Sequence, residues 1–437
     1  MSSQHVAIIG GGMAGLAAAC SLSERGIKTT IFEAAPQLGG RARRVDYKGL
    51  KLDNGQHILL GAYRETLRLL NLAGVSEQQA LLRLPLMLNM QNAMNQSYVS
   101  IKAWPFLPAP LHILFGFLFA KGLSLSSRFS AIQLMVWLKL QQFKLPHDEA
   151  LSIFLTRKNQ TDTLTKNLWE PLCLAALNTP IAQASAQVFC NVLRDSFAKK
   201  KQDSDLLLPR IDLSELLAEP LAAYLAGHGC EIKLSHTVQK IQVQKIQDQK
   251  IQGATLTVKD ETLTFSHVII ACAPHQLEKL GIAARHFSYQ PITTLYLQYA
   301  ANATLPQAMI GLVGSPSDSL AQWAFDRGQL CSQQGLIAVI ISAHAPFEIT
   351  QAVLAEKITA ELAAAFPQLG TPIWHKVITE KRATFSCEPS LVRPAAMLAQ
   401  NVYLAGDYVT SGNITNDYPA TIEGAVRSGL NAAKLIQ

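Results

Sequence analysis

The feature that most constrains this sequence is a run of glycines directly after its first apolar segment. Val6–Ile9 is a short strand pattern, and Gly10–Gly15 then reads Gly-Gly-Gly-Met-Ala-Gly. The stretch from Met13 to Ser23 is rich in alanine and leucine and predicts a helix, and Thr29–Phe32 predicts a second strand. A strand, a glycine turn, a helix and a second strand are typical of a parallel α/β domain that binds a dinucleotide.

Each glycine of this motif has its own physical role. Gly10 permits a tight turn, Gly12 lets a pyrophosphate approach the backbone, and Gly15 lets helix and strand pack closely. The helix begins at Met13 and Ala14, and its first amide groups and dipole favour the negative phosphates. Glu33 ends the second strand, where its carboxylate can accept hydrogen bonds from both ribose hydroxyls.

Composition excludes several classes of protein. The chain has 437 residues, of which 49% are hydrophobic and 16% charged, so it is long enough for two domains and too apolar to be disordered. Lys and Arg exceed Asp and Glu by 38 to 31, but the basic runs are as short as Lys199–Lys201. This mild positive charge does not indicate a nucleic-acid partner, and it suits an anionic membrane surface.

Cysteine usage and the N-terminus indicate the compartment. The 7 cysteines are widely spaced and form no Cys-x-x-Cys pair, so we expect neither a metal site nor a disulfide framework. From Met1 the chain runs directly into the first strand pattern, without the basic and apolar segments of a signal peptide. We therefore expect a cytoplasmic protein.

Two further groups of residues distinguish among dinucleotides. Gly39-Gly40-Arg41 follows Glu33, and Gly406-Asp407 and Ile422-Glu423-Gly424-Ala425 lie near the C-terminus. With the first glycine motif, they resemble the FAD-dependent amine oxidase and carotenoid desaturase superfamily. The resemblance implies an α/β fold, in which a Rossmann-like FAD-binding domain is interleaved with an α+β substrate domain.

The same resemblance assigns the cofactor contacts. Arg41 would approach the phosphates, Asp407 the ribityl and pyrophosphate part, and the helix at Ile422 would point its N-terminus at the flavin, whose reduced form is negative there. Since no cysteine follows Cys387, we expect non-covalent FAD. The contacts that the resemblance implies are Gly10, Gly12, Met13, Ala14, Gly15, Glu33, Gly40, Arg41, Gly55, Gln56, Val238, Gly406, Asp407 and Ile422.

Three further blocks of sequence make the resemblance specific to one family within this superfamily. Asp53–Tyr63, Leu168–Pro180 and Pro419–Gly429 look like the signatures of the squalene-associated FAD-dependent desaturases, the bacterial hydroxysqualene dehydroxylases. The resemblance spans nearly the whole chain. It implies a long apolar isoprenoid substrate and reductive removal of the allylic hydroxyl of hydroxysqualene, which gives squalene.

Other functions stay open. A carotenoid or phytoene-type desaturase would use the same scaffold in the oxidative direction, and an amine oxidase would need a polar or aromatic amine cage. A prenyl-binding escort protein could keep the fold without chemistry. Nothing in the sequence indicates the electron donor or the oligomeric state.

The catalytic residues are less constrained than the cofactor contacts. Dehydroxylation needs a proton donor at the departing oxygen. His57 is the first candidate and Asp417 the second, with Tyr418 as a further pocket residue. Each has an ordinary structural alternative: His57 as a core histidine, and Asp417 and Tyr418 in a solvated loop. Asp53 is equally compatible with a turn cap and with a substrate contact.

The segment 104–120 raises the question of a membrane. It is apolar and almost uncharged, but it is shorter than a spanning helix and its first half contains Pro105, Pro108 and Pro110. Such a segment can form a buried helix, an interfacial segment at the membrane surface, or a membrane span. We favour peripheral attachment to the inner face of the cell membrane through this segment.

The domain division follows from these assignments. We expect the FAD-binding domain to comprise residues 1–75, 225–275 and 395–437. The substrate domain should then comprise residues 76–224 and 276–394.

Overall fold

The computed structural model describes residues 4–92, 97–243, 253–283, 285–313, 320–345 and 347–437. The strands in these ranges are β1 (His5–Ile9), β2 (Lys28–Phe32), β3 (Arg44–Tyr47), β4 (Leu50–Asp53), β5 (Leu59–Leu60), β6 (Leu81–Leu84), β7 (Met87–Asn92), β8 (Ser97–Lys102), β9 (Leu206–Pro209), β10 (Glu231–Lys233), β11 (Val238–Val243), β12 (Ala254–Val258), β13 (Glu261–Phe265), β14 (His267–Ile270), β15 (Tyr289–Gln298), β16 (Met309–Val313), β17 (Trp323–Asp326), β18 (Leu336–Ser342), β19 (Trp374–Phe385), β20 (Met397–Ala399) and β21 (Val402–Leu404).

The α-helices in the same ranges are α1 (Met13–Ser23), α2 (Arg64–Leu72), α3 (Glu77–Ala80), α4 (Leu111–Leu118), α5 (Leu125–Leu140), α6 (Leu151–Arg157), α7 (Asp162–Leu164), α8 (Glu170–Leu177), α9 (Ala186–Phe197), α10 (Glu219–Gly227), α11 (Arg327–Cys331), α12 (Gln351–Ala365) and α13 (Ile422–Lys434). Two π-helical turns, Thr165–Trp169 and Ser214–Ala218, precede α8 and α10. Short 3₁₀ turns cover Lys201–Ser204, Pro274–Gln276, Glu278–Leu280, Pro367–Leu369 and Ile414–Asn416.

A six-stranded sheet in the order β10-β2-β1-β14-β21-β20 organises the first part of the molecule. The pairings among β10, β2, β1, β14 and β21 are parallel, and β20 is antiparallel at one edge. Its strands come from the three segments that we assigned to the cofactor domain. The predicted helix at Met13–Ser23 is confirmed, and so is the strand before it. The exact division of the chain into domains stays a prediction.

Close packing of α1 against α13 explains why small residues recur in both helices. A Cβ atom added to Gly429 would lie 2.0 Å from the backbone oxygen of Ala14, so the two helices touch backbone to backbone. Leu16 and Leu430 then fill the core around this contact. The contact fixes α13, and therefore its N-terminus, relative to the glycine motif.

A three-stranded antiparallel sheet, β11-β12-β13, stands beside the first sheet. Lys259 and Asp260 connect β12 to β13 and both have positive φ, as a two-residue hairpin turn requires. The sequence predicts a small β-meander here, because the turn Lys259-Asp260-Glu261 separates two Thr-rich runs after a Gln/Lys/Ile repeat that begins at Val238. The β-meander is confirmed for the described residues, whereas residues 244–252 of the repeat lie outside them.

The largest sheet has seven strands in the order β19-β15-β18-β17-β16-β7-β8. Alternate residues of β15 serve two cores, because successive side chains of a strand point to opposite faces. Leu295 and Leu297 pack in the core that also holds Leu354 of α12, whereas Tyr296 belongs to the core formed with the helices between 111 and 197.

The sequence has apolar, helix-period stretches at Ala131–Leu140 and Asp162–Leu177, which predict helices. Both are confirmed as part of that second core, the first within α5 and the second as α7, a π turn and α8. Asn178 then ends α8 in the left-handed conformation. We expect Trp169 to be a core residue and not a platform for the substrate, and it is fully buried in this core.

Segment 104–120 contains the short helix α4, and exposed aromatic residues lie on either side of this helix in the sequence. The three prolines precede α4, and within α4 Ile113 and Phe117 are buried. Trp104, Phe106 and Phe119 are exposed, with Phe106 at 93%. Among the described residues, no helix has both the length and the apolar character needed to cross a membrane.

Candidate cofactor and substrate site

The turn between β1 and α1 is built so tightly that two of its glycines cannot be replaced. Gly10 has φ +111°, and a Cβ there would lie 2.7 Å from the backbone oxygen of Ala271 on the neighbouring chain segment. A Cβ on Gly15 would lie 2.0 Å from the oxygen of Gly10. The first and third glycines therefore serve the close approach of backbone segments that we predicted.

Gly12 differs, because a Cβ added there would meet no heavy atom within 4 Å. Gly12 is the N-cap of α1 and supplies no side-chain cap. The first turn of α1, at Met13 and Ala14, therefore begins against open space, as phosphate binding by a helix N-terminus requires. A Cβ on Gly40 would lie 3.3 Å from the Cα of Gly12, so the Gly39-Gly40 turn forms a second wall beside it.

Glu33 is held at the end of β2 by backbone amides. Its Oε2 accepts from the N–H of Gly11 at 2.6 Å and its Oε1 from that of Ala35 at 2.8 Å. The backbone oxygen of Glu33 accepts from the N–H of His236 at 2.8 Å. Val238 starts β11 two residues later, so the structure brings the predicted ribose and adenine contacts to the same end of the sheet.

Arg41 and Asp407 form an ion pair across 366 residues of sequence. Arg41 Nη2 donates to Asp407 Oδ2 at 2.5 Å, and the carboxylate is buried whereas the guanidinium is 42% exposed. The N–H of Gly406 donates to the Oγ of Ser428 in α13 at 3.0 Å. Two predicted contact segments from opposite ends of the chain thus meet beside α13.

The N-terminus of α13 is capped by Thr421, whose Oγ1 accepts from the N–H of Gly424 at 3.0 Å. Ile422 is the first residue of the helix. Glu423 is fully buried and turns away to α2, where its carboxylate accepts from the backbone N–H groups of Glu65 and Thr66. The Glu-Gly-Ala motif therefore also fastens α13 to α2.

A buried ion pair organises the segment that begins at Asp53. Asp53 Oδ2 accepts from Arg327 at 3.0 Å, and its Oδ1 accepts from the N–H of Leu213 at 2.8 Å. Arg327 also donates to Gln56 Oε1 at 2.9 Å, which fixes the turn through Gly55. Of the two alternatives for Asp53, backbone capping is the one observed. Arg327 was missed, because no local pattern marks it.

The His57 ring is held by a backbone carbonyl. Nδ1 lies 2.6 Å from the backbone oxygen of Gly55, and since a carbonyl can only accept, Nδ1 carries the hydrogen. Burial lowers the pKa of His57, more than the Gly55 contact and Asp53 raise it. The role of His57 as proton donor stays a prediction.

The Asp417 carboxylate caps the loop in which it lies. Asp417 Oδ1 accepts from the N–H of Ser411 at 2.8 Å and from the hydroxyl of Thr410 at 3.1 Å, and Oδ2 lies 3.8 Å from Arg393. The carboxylate therefore ties the 410–417 loop together, and the role of Asp417 as second candidate for the proton donor stays a prediction.

An apolar cavity adjoins α13. Its empty volume is about 1080 Å³, part of which is open to solvent. Its walls come from β5, the 86–88 segment, α8, α9, β16, β17 and the residues before α13. Apolar lining residues include Ile58, Leu88, Leu172, Phe189, Met309 and Trp323.

Two polar residues meet at this cavity, Tyr418 just before α13 and Asp195 in α9. The Tyr418 hydroxyl donates to Asp195 Oδ2. Asp195 was not predicted, because it lies in an amphipathic helix where a carboxylate usually faces water. Only the packing of α9 against the 410–418 loop directs it inward.

The profile of the flavin-containing amine oxidoreductase family matches residues 13–437. The chain belongs to this family. It is therefore an FAD-dependent oxidoreductase, and the glycine turn before α1, the Glu33 carboxylate and the Arg41–Asp407 ion pair fit FAD. Within the described residues, no cluster of three or more His, Cys, Asp or Glu could hold a metal ion.

Comparison with individual proteins confirms the narrower resemblance. The chain is 28% identical to the hydroxysqualene dehydroxylase of Zymomonas mobilis, over 100% of this chain and 99% of the relative. It is 23% identical to the zeta-carotene desaturase of Synechocystis, over 99% and 97%. A solved protoporphyrinogen oxidase homologue from Exiguobacterium has a similar fold, with a TM-score of 0.69, 16% identity and coverage of 100% and 99%.

Proposed function

We propose that this oxidoreductase removes the allylic hydroxyl of hydroxysqualene reductively and forms squalene and water. The observation that carries the proposal is the apolar cavity next to α13, in a chain that resembles hydroxysqualene dehydroxylases from end to end. A C30 isoprenoid needs an apolar binding site, and the lining aliphatic and aromatic side chains provide one.

The reaction sets three requirements for the site. The chemistry that bound, reduced FAD supplies is hydride transfer. The residues of this chain must hold the allylic carbon close to the cofactor, keep water from the electron-poor carbon, and allow a proton to reach the departing oxygen. The walls of Leu172, Phe189 and Trp323 support the second requirement, because they leave few groups that could hold water.

The other functions considered are less well supported. A carotenoid-type desaturase shares the scaffold and an apolar substrate, and the relative from Synechocystis keeps it as the second candidate. An amine oxidase is disfavoured by the apolar lining of the cavity. A non-catalytic escort protein would not need the Arg41–Asp407 pair that lies beside α13.

The test is product identification with the purified holoenzyme. The protein is incubated anaerobically with hydroxysqualene and a chemical reductant of flavin, and the extract is analysed by mass spectrometry. We expect squalene in amounts that exceed the enzyme. If hydroxysqualene stays unchanged while phytoene is oxidised to a longer polyene under aerobic conditions, the desaturase is the correct assignment.

We further propose that the protein attaches peripherally to the cytoplasmic face of the cell membrane. Trp104 stacks on Phe119 at 5.1 Å between ring centroids, and Phe106 stands free beside them. The following helix, α5, exposes Leu125, Phe129, Val136 and Leu140 along one face. So many exposed apolar side chains are unusual on a surface that contacts only water.

Charge next to this surface supports the same proposal. Lys199, Lys200 and Lys201 line a surface depression together with Phe106–Ala109, and Lys201 Nζ donates to the backbone oxygen of Pro105 at 2.6 Å. Aromatic side chains beside lysines suit an anionic lipid surface. Phe197 and Ser204, at the two ends of the segment that carries these lysines, line the substrate cavity, so the same stretch of chain borders both the cavity and the basic surface.

A further inference from the structure

The substrate cavity is apolar except for a few side chains, and most of these are already engaged. Ser204 Oγ donates to the backbone oxygen of Lys201 at 2.8 Å and lies 3.1 Å from His112 Nε2. Thr421 Oγ1 caps α13. The Tyr63 hydroxyl is hydrogen-bonded to Thr421, and burial raises its pKa. The hydrogen-bonded pair of Tyr418 and Asp195 is the group that combines a charge with an exchangeable hydroxyl.

The contacts of Asp195 orient its carboxylate so that one oxygen faces Tyr418. Its Oδ1 accepts from Arg194 Nε and Lys199 Nζ, each at 2.9 Å, which leaves Oδ2 for the Tyr418 hydroxyl. Burial alone would raise the pKa of Asp195, but the hydrogen bonds and charges of Arg194 and Lys199 lower it below its usual value. Asp195 is therefore ionised at neutral pH, and its Oδ2 accepts a hydrogen bond from the Tyr418 hydroxyl.

Besides the hydrogen bond to Asp195, Tyr418 is held by two contacts to the backbone around it and by one contact to its ring. Its backbone oxygen accepts from Arg393 Nη1 at 2.6 Å. Asn191 Nδ2 donates to the backbone oxygen of the preceding residue, Asp417, at 3.0 Å. The guanidinium of Arg427 lies 4.3 Å from the centre of the Tyr418 ring, a cation–π contact. A side chain so restrained is suited to recognition, because little rotamer entropy is lost when a ligand binds.

We propose that Tyr418 binds the hydroxyl of the substrate and that Asp195 is its positioning residue. This inference rests on the proposed function for the substrate and adds the group that recognises it. With its own hydrogen directed to Asp195, the phenolic oxygen has lone pairs free to accept the hydrogen of an alcohol. The pair lies at the cavity and three residues before the N-cap of α13, so it places the hydroxyl at the cofactor end of the isoprenoid.

The pair also explains how the site can distinguish substrate from product. Hydroxysqualene and squalene have almost the same apolar surface, so the cavity walls cannot separate them. A binding site with a polar group for a hydroxyl discriminates against the ligand that lacks it, because the polar group then stays unpaired. Squalene should therefore bind less tightly than hydroxysqualene and leave after the reaction.

Equilibrium binding to the oxidised holoenzyme tests the inference without turnover. Hydroxysqualene and squalene are titrated separately, and binding is followed by the tryptophan fluorescence to which Trp323 in the cavity wall contributes. The quantity of interest is the ratio of the two dissociation constants. We expect the wild-type protein to prefer hydroxysqualene by about tenfold, the effect of one hydrogen bond between neutral groups.

Three variants separate recognition from folding. Tyr418→Phe should bring the ratio of the two dissociation constants to about one, while squalene binds as tightly as it does to the wild type. Asp195→Asn should reduce it partly, because the amide can still accept from the phenol but carries no charge. Tyr224→Phe in α10, which does not line the cavity, is the matched control and should keep the full preference.

The inference is overturned if Tyr418→Phe keeps the wild-type preference, or if the wild type has none. If Tyr418→Phe weakens both ligands equally, Tyr418 has only a structural role and the inference also fails. Turnover of hydroxysqualene by the wild type is measured in parallel. Preference without turnover contradicts the proposed function alone, whereas turnover without preference contradicts this inference alone.

Discussion

At the scale of single residues, two glycines of one motif have opposite surroundings. Gly12→Ala adds a methyl group where no atom lies within 4 Å, at φ −78°, which alanine readily adopts. Gly15→Ala places its methyl 2.0 Å from the oxygen of Gly10. The first variant should fold normally and lose at least tenfold in FAD affinity, since the methyl obstructs the phosphates. The second should lose about 1–3 kcal/mol of stability.

Thermal unfolding and the ratio of flavin to protein absorbance measure the two effects separately. The two variants are matched, because each adds the same methyl group to the same turn. A Gly12→Ala variant that retains FAD as tightly as the wild type would show that the phosphates do not lie before α1.

The histidine at position 57 gives the stability a defined pH dependence. Burial lowers the folded pKa of His57 from its ordinary value of 6.5, so the unfolded chain binds more protons at acidic pH. Stability is therefore complete above about pH 6.5 and falls as the pH is lowered further. His57→Asn removes this contribution, and its free energy of unfolding should decrease less between pH 7.5 and 5.5.

Urea unfolding at several pH values in this range measures the difference. The other buried histidines contribute equally to the pH dependence of both proteins, so their contribution cancels in the comparison. If the free energy of unfolding falls equally with pH in wild type and variant, His57 titrates normally in the folded state and the prediction is wrong.

At the scale of elements, α13 depends on a carboxylate that caps another helix. Glu423 is fully buried, and its Oε2 accepts from the backbone N–H of Thr66 at 2.9 Å and from its hydroxyl at 2.7 Å. Both groups lie in the first turn of α2, where the helix dipole favours a negative charge. Glu423→Ala leaves these buried donors unpaired and should cost at least about 3 kcal/mol.

Glu423→Gln keeps the shape and loses the charge, so it should cost less than Glu423→Ala. Glu356→Ala, on the exposed face of α12, is the control and should change the free energy of unfolding by about 0.5 kcal/mol or less. If Glu423→Ala is as stable as this control, α13 is held by its apolar contact with α1 alone.

At the scale of the whole molecule, the parts of the fold that could be predicted from the sequence are those that neighbouring residues determine. The β1–α1–β2 unit was predictable because the glycines, the helix formers and Glu33 lie within about 30 residues and each restricts the backbone nearby. Arg41 and Asp407 were assigned only through the resemblance. Their contact closes 366 residues of chain, and no rule of spacing predicts such a pair.

The candidate catalytic residues were harder to predict for a related reason. His57 and Asp417 have the correct chemistry in isolation, but their partners, the Gly55 carbonyl and the Ser411 amide, decide where their polar atoms point. Asp195 and Arg327 have no local motif, and tertiary packing alone buries them. Residue type therefore indicated which chemistry was available, whereas the assignment of a catalytic role to any of these residues stays a prediction.

Membrane attachment is a property of the whole surface around α4 and α5. Phe106→Glu with Phe119→Glu removes two exposed aromatic side chains, each of which contributes at most about 1.5–3 kcal/mol when buried. We expect the double variant to lose most of its binding to vesicles that contain anionic lipid, in a sedimentation assay. Ile373→Glu, an equally exposed apolar position before β19, is the control and should bind like the wild type. Unchanged binding of the double variant would refute attachment through this surface.

The central claim concerns the direction of electron flow between cofactor and isoprenoid. The most direct measurement is a single turnover of the reduced holoenzyme, mixed anaerobically with hydroxysqualene and followed by flavin absorbance. The account predicts that the oxidised flavin spectrum returns and that one squalene forms per flavin. A reduced flavin that stays colourless with hydroxysqualene, together with an oxidised holoenzyme that phytoene bleaches, would contradict it.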